Sequence, residues 1–246
     1  MAGYDFGAAR LFVGDDLAEG AVIALAREAA HYLISVLRLR EGEEILVFNG
    51  RDGEWRAALA PSGRRGGELR LLARTRPQPR ADGPALLFAP LKHARLDYMV
   101  QKAVEMGAGA LRPVLTRRTV ATRVNLERMR ANAIEAAEQC GILAVPEIAP
   151  EARLDVALAA LPPGRLLVFC DEDAPVADPV RVLGAARNGE VALLIGPEGG
   201  FDPAEREAIL ARPAICRLSL GPRILRADTA AVAALALIQA VLGDWR

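Results

Sequence analysis

The chain has 246 residues, enough for one large domain or two small ones, with 52% hydrophobic and 25% charged side chains and a formal net charge of zero. It contains no run of eighteen apolar residues, and no basic stretch followed by an apolar one opens it; a membrane span and a signal peptide are not expected, and the chain reads as cytoplasmic. Cys140, Cys170 and Cys216 are widely spaced with no CxxC pair, which argues against a disulfide framework and against a zinc site.

The first seventy-odd residues read as short strands: "RLFV", "AVIAL", "EILVFN", "EWRAALA" and "GELRLLART". Turn signals such as Asn49-Gly50 and Asp52-Gly53 separate them, and one helical piece, "EAAHYLISVLRL", interrupts them. So many short strands predict a small barrel over residues 1–76. Then "RTRPQPRADGP" gathers three prolines and three arginines with little apolar content, which is the composition of a linker.

From residue 77 onward strands alternate with helices. "ALLFAPL" precedes a helix from about Leu96 to Met106, with Leu96, Met99, Val100 and Ala103 on one face and Gly107 as its C-terminal stop. "LRPVLT" and a helix from about Leu126 to Cys140 follow. "RLLVFC" and "VALLIG" are almost wholly apolar, as strands covered on both faces are. Before the strand "CRLSL", Asp202-Pro203 with Glu205 reads as a capped helix start. The chain closes on the apolar helix of "ADTAAVAALALIQAVL". The pattern is an α/β domain with a mostly parallel sheet.

Charge is uneven along this order. Residues 81–130 hold nine Lys and Arg against four Asp and Glu, whereas residues 131–246 hold ten against sixteen. A basic middle segment suits an anionic partner, although the arginine-rich composition of the whole chain weakens that signal.

Ligands of parallel sheets bind at the carboxyl ends of the strands. Three loops lie there: "CDEDAP", "GPEGGF" and "GPRILRAD". Two begin Gly-Pro and offer main-chain groups to a flat heterocycle, while GxxxxGK[ST] and a GxGxxG helix opening are both missing, so a triphosphate is not expected. Alone, either loop is explained as a turn from strand to helix. Together, one with Glu198 and the other with Arg223, Arg226 and Asp228, they point to a ligand.

"LLIGPEGGF" with "LSLGPRILRADTA", preceded by "QKAVEMG" and "EAAEQCG…VPEI", resembles the RsmE family, the 16S ribosomal RNA uridine N3-methyltransferases of the SPOUT superfamily. The similarity covers nearly the whole chain, including an N-terminal stretch similar to that family's PUA-like β-barrel. The resemblance implies a SPOUT α/β domain with a trefoil knot, a homodimer, and S-adenosylmethionine (SAM) as cofactor, with no metal. It implies a SAM seat at Cys170, Ile195, Gly196, Gly199, Gly200, Leu218, Leu220, Gly221 and Leu225. It also implies 16S rRNA or the small ribosomal subunit as partner, with Arg10, Arg38, Lys92, Arg117, Arg118 and Arg223 facing RNA.

Uracil N3 carries an imide proton that must leave, so a base or an electrostatic stabiliser is expected. Arg226 and Asp228 are the candidates. Asp228 also suits the N-cap of the last helix, the reading favoured for it, and Glu198 is expected to hold its loop through backbone N–H groups. His31 and His93 have neither triad nor metal spacing. Ile142 and Ala144 stand where relatives of the family often have Arg. Two other functions remain open: a SPOUT 2′-O-ribose methyltransferase, and a non-catalytic RNA-binding assembly protein.

Overall fold

The computed structural model describes residues 7–62, 66–92, 94–121, 123–186 and 189–245. His93 lies outside them. The chain forms two compact units, Met1–Arg80 with Ala137–Val145, and Ala81–Ala136 with Pro146–Arg246.

The first unit is a curled five-stranded sheet of β1 (Arg10–Phe12), β2 (Val22–Ala24), β3 (Glu44–Phe48), β4 (Glu54–Ser62) and β5 (Gly66–Arg76), in the order β1-β3-β4-β5-β2. All five strands expected from the alternating pattern are present. Between β2 and β3, α1 (Arg27–His31) runs into one π-helical stretch, Tyr32–Val36. Leu33, Ile45, Val47, Leu69 and Leu71 are fully buried and fill the inside of the curl. Arg10 is also buried. Its Nε donates to Glu54 Oε1 at 3.1 Å, and Arg76 Nε donates to Glu54 Oε2 at 2.9 Å. This corrects the expectation that Arg10 faces RNA: its cation is spent on Glu54 in the interior, where no phosphate reaches it. Arg38, by contrast, is exposed, in the left-handed region at φ 59° just after the π-helical stretch. His31 is exposed as well.

The second unit carries a parallel sheet. Its strands are β6 (Ala85–Phe88), β7 (Ala110–Leu115), β8 (Glu147–Ile148), β9 (Ala152–Arg153), β10 (Leu166–Cys170), β11 (Val191–Ile195) and β12 (Ile215–Leu218). The order is β12-β10-β11-β6-β7-β8, with β9 beside β7, and every pairing is parallel. β6, β10 and β11 lie inside this order and are buried almost throughout, which is why their sequences are continuous apolar runs. The chain leaves one side of the sheet after β9, enters β10 across it, and then inserts β11 between β10 and β6. The second unit is thus an α/β unit with a parallel sheet, as the alternation of strands and helices predicts.

The helices are α2 (Ala94–Glu105), α3 (Leu126–Cys140), α4 (Leu154–Ala160), α5 (Pro179–Gly184), α6 (Pro203–Leu210) and α7 (Ala227–Val241). α7 packs on α2, α5 and β11, and α4 packs on α6 and β7. Gly107 ends α2 at φ 74°, and the buried Gln239 of α7 donates to the carbonyl oxygen of Met106, just past the end of α2, at 2.8 Å. α6 starts with the expected capping box: Asp202 accepts from the Ala204 N–H while Glu205 accepts from the Asp202 N–H. The N-cap of α7 is Arg226, with no side-chain cap. Asp228 sits two residues further in, so the capping role expected for it is corrected; it is the acid of the first turn, where the helix dipole favours a negative charge. Among the described residues, no helix is long and apolar enough to cross a membrane.

Candidate cofactor and substrate site

β11, β10 and β12 are adjacent and parallel, so the loops leaving their carboxyl ends converge. They enclose a cavity of about 330 Å³, in the range of small-molecule sites. Cys170, Ile195, Gly196, Gly200, Leu218, Leu220, Gly221 and Leu225 line it, so eight of the nine expected seat residues come together. Gly199 does not line it. Ala227 and Ala230 bring the first turns of α7 to its wall.

The loops are shaped by their glycines. A Cβ on Gly196 would stand 2.6 Å from the Phe201 ring, which packs edge-to-face on Phe169 at 5.4 Å. Gly200 has φ 69°, and a Cβ there would meet Glu172 Oε1 at 2.8 Å. The wall at Gly221 is open, with nothing within 4 Å of a Cβ. Main-chain groups are therefore the nearest partners for a ligand along these turns.

The loop after β10 is fixed by charge. Asp171 is buried and accepts from Arg206 Nη2 at 2.8 Å and from Arg217 Nε at 2.7 Å. Burial alone would raise its carboxyl, but the Arg206 and Arg217 hydrogen bonds outweigh that and hold it below the ordinary range. Asp171, Glu172, Asp173 and Glu198 face Arg206 and Arg223 around the cavity, four carboxylates against two guanidiniums. That balance suits a cationic ligand better than a phosphate chain. Burial, with a smaller push from Cys216, drives the Cys170 thiol up to about 12, so it stays protonated and is a poor nucleophile.

A second clamp joins separate walls. Arg95 of α2 donates from Nε and Nη2 to the two carboxylate oxygens of Asp228, both at 3.0 Å, and from Nη1 to Glu198 Oε1 at 2.7 Å. The Arg95 hydrogen bonds hold the Asp228 carboxyl below the ordinary range, so it is a weak proton acceptor at neutral pH. Glu198 meets this guanidinium rather than the backbone N–H groups expected for it.

The cations expected on RNA divide into several environments. Lys92, Arg223 and Arg226 are exposed, and Arg223 lines the cavity. Arg117 pairs with Asp202 at 2.8 Å and its N–H donates to Glu205, so it rests on the capping box of α6. Arg118 donates from Nη1 to the carbonyl oxygen of Gly199 at 2.7 Å, on the glycine loop itself. Arg226 and Asp228 are not among the lining residues; they lie immediately beyond Leu225 and Ala227, which are. Ile142 and Ala144 are half-buried in the first unit.

Arg95, Asp171, Arg206 and Arg217 are absent from the residues expected from sequence. Each acts through a partner between 35 and 133 positions away, a separation at which sequence spacing carries no signal. The charge excess of residues 81–130 hinted at Arg95, and the loop "CDEDAP" contained Asp171 without marking its arginine partners.

Comparison with known proteins agrees with this construction. Residues 82–239 match the family described as RNA methyltransferase domain, and residues 25–72 match an RNA methyltransferase PUA domain. The chain is 30% identical to ribosomal RNA small subunit methyltransferase E of Rickettsia conorii, over 94% of each protein. It is 32% identical to the Synechocystis protein of the same name, over 95% of this chain and 78% of that one. A crystal structure of a ribosomal RNA small subunit methyltransferase E from Neisseria gonorrhoeae bound to S-adenosyl methionine superposes with a TM-score of 0.87 at 27% identity, covering 97% of this chain and 100% of that one. By sequence, fold and the loops that enclose its cavity, the chain belongs to the ribosomal RNA small subunit methyltransferase E family.

Proposed function

We propose that this chain methylates N3 of a specific uridine in small-subunit (16S) ribosomal RNA. At the coarser level it is a SAM-dependent methyltransferase of small-subunit rRNA. The observation that carries the reading is the cavity at the ends of β10, β11 and β12, walled by glycine turns with an excess of carboxylates.

The residues present fit SAM. The ligand's sulfonium and ammonium charges match the acidic lining, and its nucleoside and methionine parts need main-chain partners, which the turns at 195–200 and 218–221 provide. When bound, the cofactor supplies an activated methyl group. What remains for the protein is to place the acceptor nitrogen and manage its proton. Asp228, held ionised by Arg95, shapes the wall more than it accepts a proton. Arg226, exposed at the start of α7, stabilises the uracil anion as the imide proton leaves to water. Cys170 stays neutral and does not compete for the methyl group.

Lys92, Arg38, Arg117, Arg118 and Arg223 hold the RNA phosphates. Val176 and Ile224 are 71% and 95% exposed at the cavity rim, apolar surface that suits the expected homodimer. We place the enzyme in the cytoplasm with the ribosomal RNA it is proposed to modify. Mass spectrometry of 16S rRNA from a strain lacking the gene tests the reading: one uridine loses its N3-methyl group and regains it on complementation. Unchanged rRNA in that strain overturns it.

A further inference from the structure

We propose that Arg95 is a positioning residue that closes the cofactor cavity by clasping its two walls, an assignment that rests on the cofactor reading above. Arg95 itself does not line the cavity. Its partners belong to the two sides: Glu198 is in the loop after β11 and is a lining residue, and Asp228 is in the first turn of α7 beside the lining residue Ala227. The two acids are thirty positions apart in sequence and receive their ion pairs from the same guanidinium.

The arrangement is costly in isolation. Arg95 is the second residue of α2, where the helix dipole disfavours a cation. Glu198 and Asp228 are two anions brought close together around it. A planar guanidinium can serve both, because its Nε and Nη2 form a fork on one carboxylate and leave Nη1 for the other. Lysine cannot reproduce this, since an ammonium is a point charge without the fork. Without Arg95 the two carboxylates repel, the turn at Gly196–Gly200 separates from α7, and the seat between them widens.

The test uses the full-length protein. Calorimetric titration with SAM at neutral pH should show affinity about tenfold weaker in Arg95→Met and in Asp228→Asn, with the double variant no weaker than the poorer single one, since both changes break one clasp. Arg95→Lys should fold and fall between wild type and Arg95→Met. As pH drops through the carboxylate range, the gap between wild type and Arg95→Met should narrow, because protonating the acids relieves the repulsion that Arg95 normally cancels; a residue needed only for folding gives no such narrowing. Hydrogen exchange without cofactor should speed up in Arg95→Met at residues 196–200 and in the first turn of α7 together. Wild-type SAM affinity in folded Arg95→Met and Arg95→Lys, or faster exchange in only one of the two segments, overturns the clasp. A wild-type protein that does not bind SAM while the two segments still loosen together supports the clasp and overturns the cofactor reading instead.

Discussion

Arg118 Nη1 lies 2.7 Å from the carbonyl oxygen of Gly199, so a cation expected on RNA is attached to the glycine loop of the cofactor cavity. Its neighbour Arg117 is attached instead to Asp202 and Glu205 at the start of α6. The two arginines should therefore separate experimentally. Arg117→Ala should weaken RNA binding evenly across sequences and lower the salt slope by about one, with SAM affinity unchanged. Arg118→Ala should do the same to RNA and also weaken SAM binding by a few-fold, because a charge-assisted bond that orders the loop is gone. Salt-dependent anisotropy with labelled RNA and calorimetry with SAM check this; equal SAM affinity in both variants would remove the loop role of Arg118.

The glycines of the two turns should not respond alike. Gly196→Ala drives a methyl group into the Phe201 ring, which would have to shift against its edge-to-face contact with Phe169. Overpacking of this kind costs about 1–3 kcal/mol, and SAM binding should be lost with it. Gly221→Val meets nothing within 4 Å, but the position has φ 98°, a backbone conformation that a β-branched residue resists, so the variant should melt below wild type through local strain rather than a clash, and SAM binding should disappear. At Gly199 a Cβ has only ordinary contact, 3.6 Å from Arg118, and the position is outside the lining, so Gly199→Ala should retain most SAM affinity. Melting curves with and without SAM distinguish the three.

These contrasts show which parts of the molecule can be read along the chain. The capping box at Asp202 and Glu205, the ends of α3 at Leu126 and Cys140, and the buried strands β10 and β11 are all set by neighbours within a few residues. The glycine turns were legible for the same reason. Arg10 was not: its spacing resembles a surface cation, and only the pairing of distant strands places Glu54 beside it. Asp228 was displaced by two positions, because an acid suits the N-cap and the first turn almost equally and the choice fell to Arg95, which comes from another helix.

Asp171 gives an acid limb to stability. Its folded-state pKa lies below the ordinary value of 3.8, so its contribution is present above that value and is lost as pH falls through the lower folded value. Asp171→Asn leaves Arg206 and Arg217 on a neutral acceptor. Removing one partner of a buried pair costs about 3–5 kcal/mol, and the partial exposure of these two guanidiniums brings the expected loss toward about 2–3 kcal/mol. Urea unfolding at neutral pH and again below pH 3 checks both points: the gap between wild type and Asp171→Asn should be wide at neutral pH and narrow in acid. A gap that is constant with pH assigns the loss to packing, not charge.

If the acceptor is uracil N3, as proposed, Arg226 and Asp228 divide the handling of its imide proton. Asp228 is held ionised by Arg95 and is a weak base, so the burden falls on the positive charge that opposes the developing uracil anion. Arg226 is exposed and adjacent to the cavity wall, in position to supply that charge. Arg226→Gln should slow single-turnover methylation at neutral pH by about a hundredfold, the usual cost of losing one electrostatic donor to a developing anion. The deficit should shrink as pH rises, because alkali ionises the imide and the stabilised step no longer limits the rate. SAM affinity, measured separately, should stay near wild type, since Arg226 is outside the lining. Asp228→Asn should behave in the opposite way: weaker SAM binding, a pH–rate profile of wild-type shape, and a rate at saturating cofactor within a few-fold of wild type. If Asp228→Asn alone shows the slow, alkali-rescued rate, the proton leaves through the carboxylate, and Arg226 serves the RNA backbone instead.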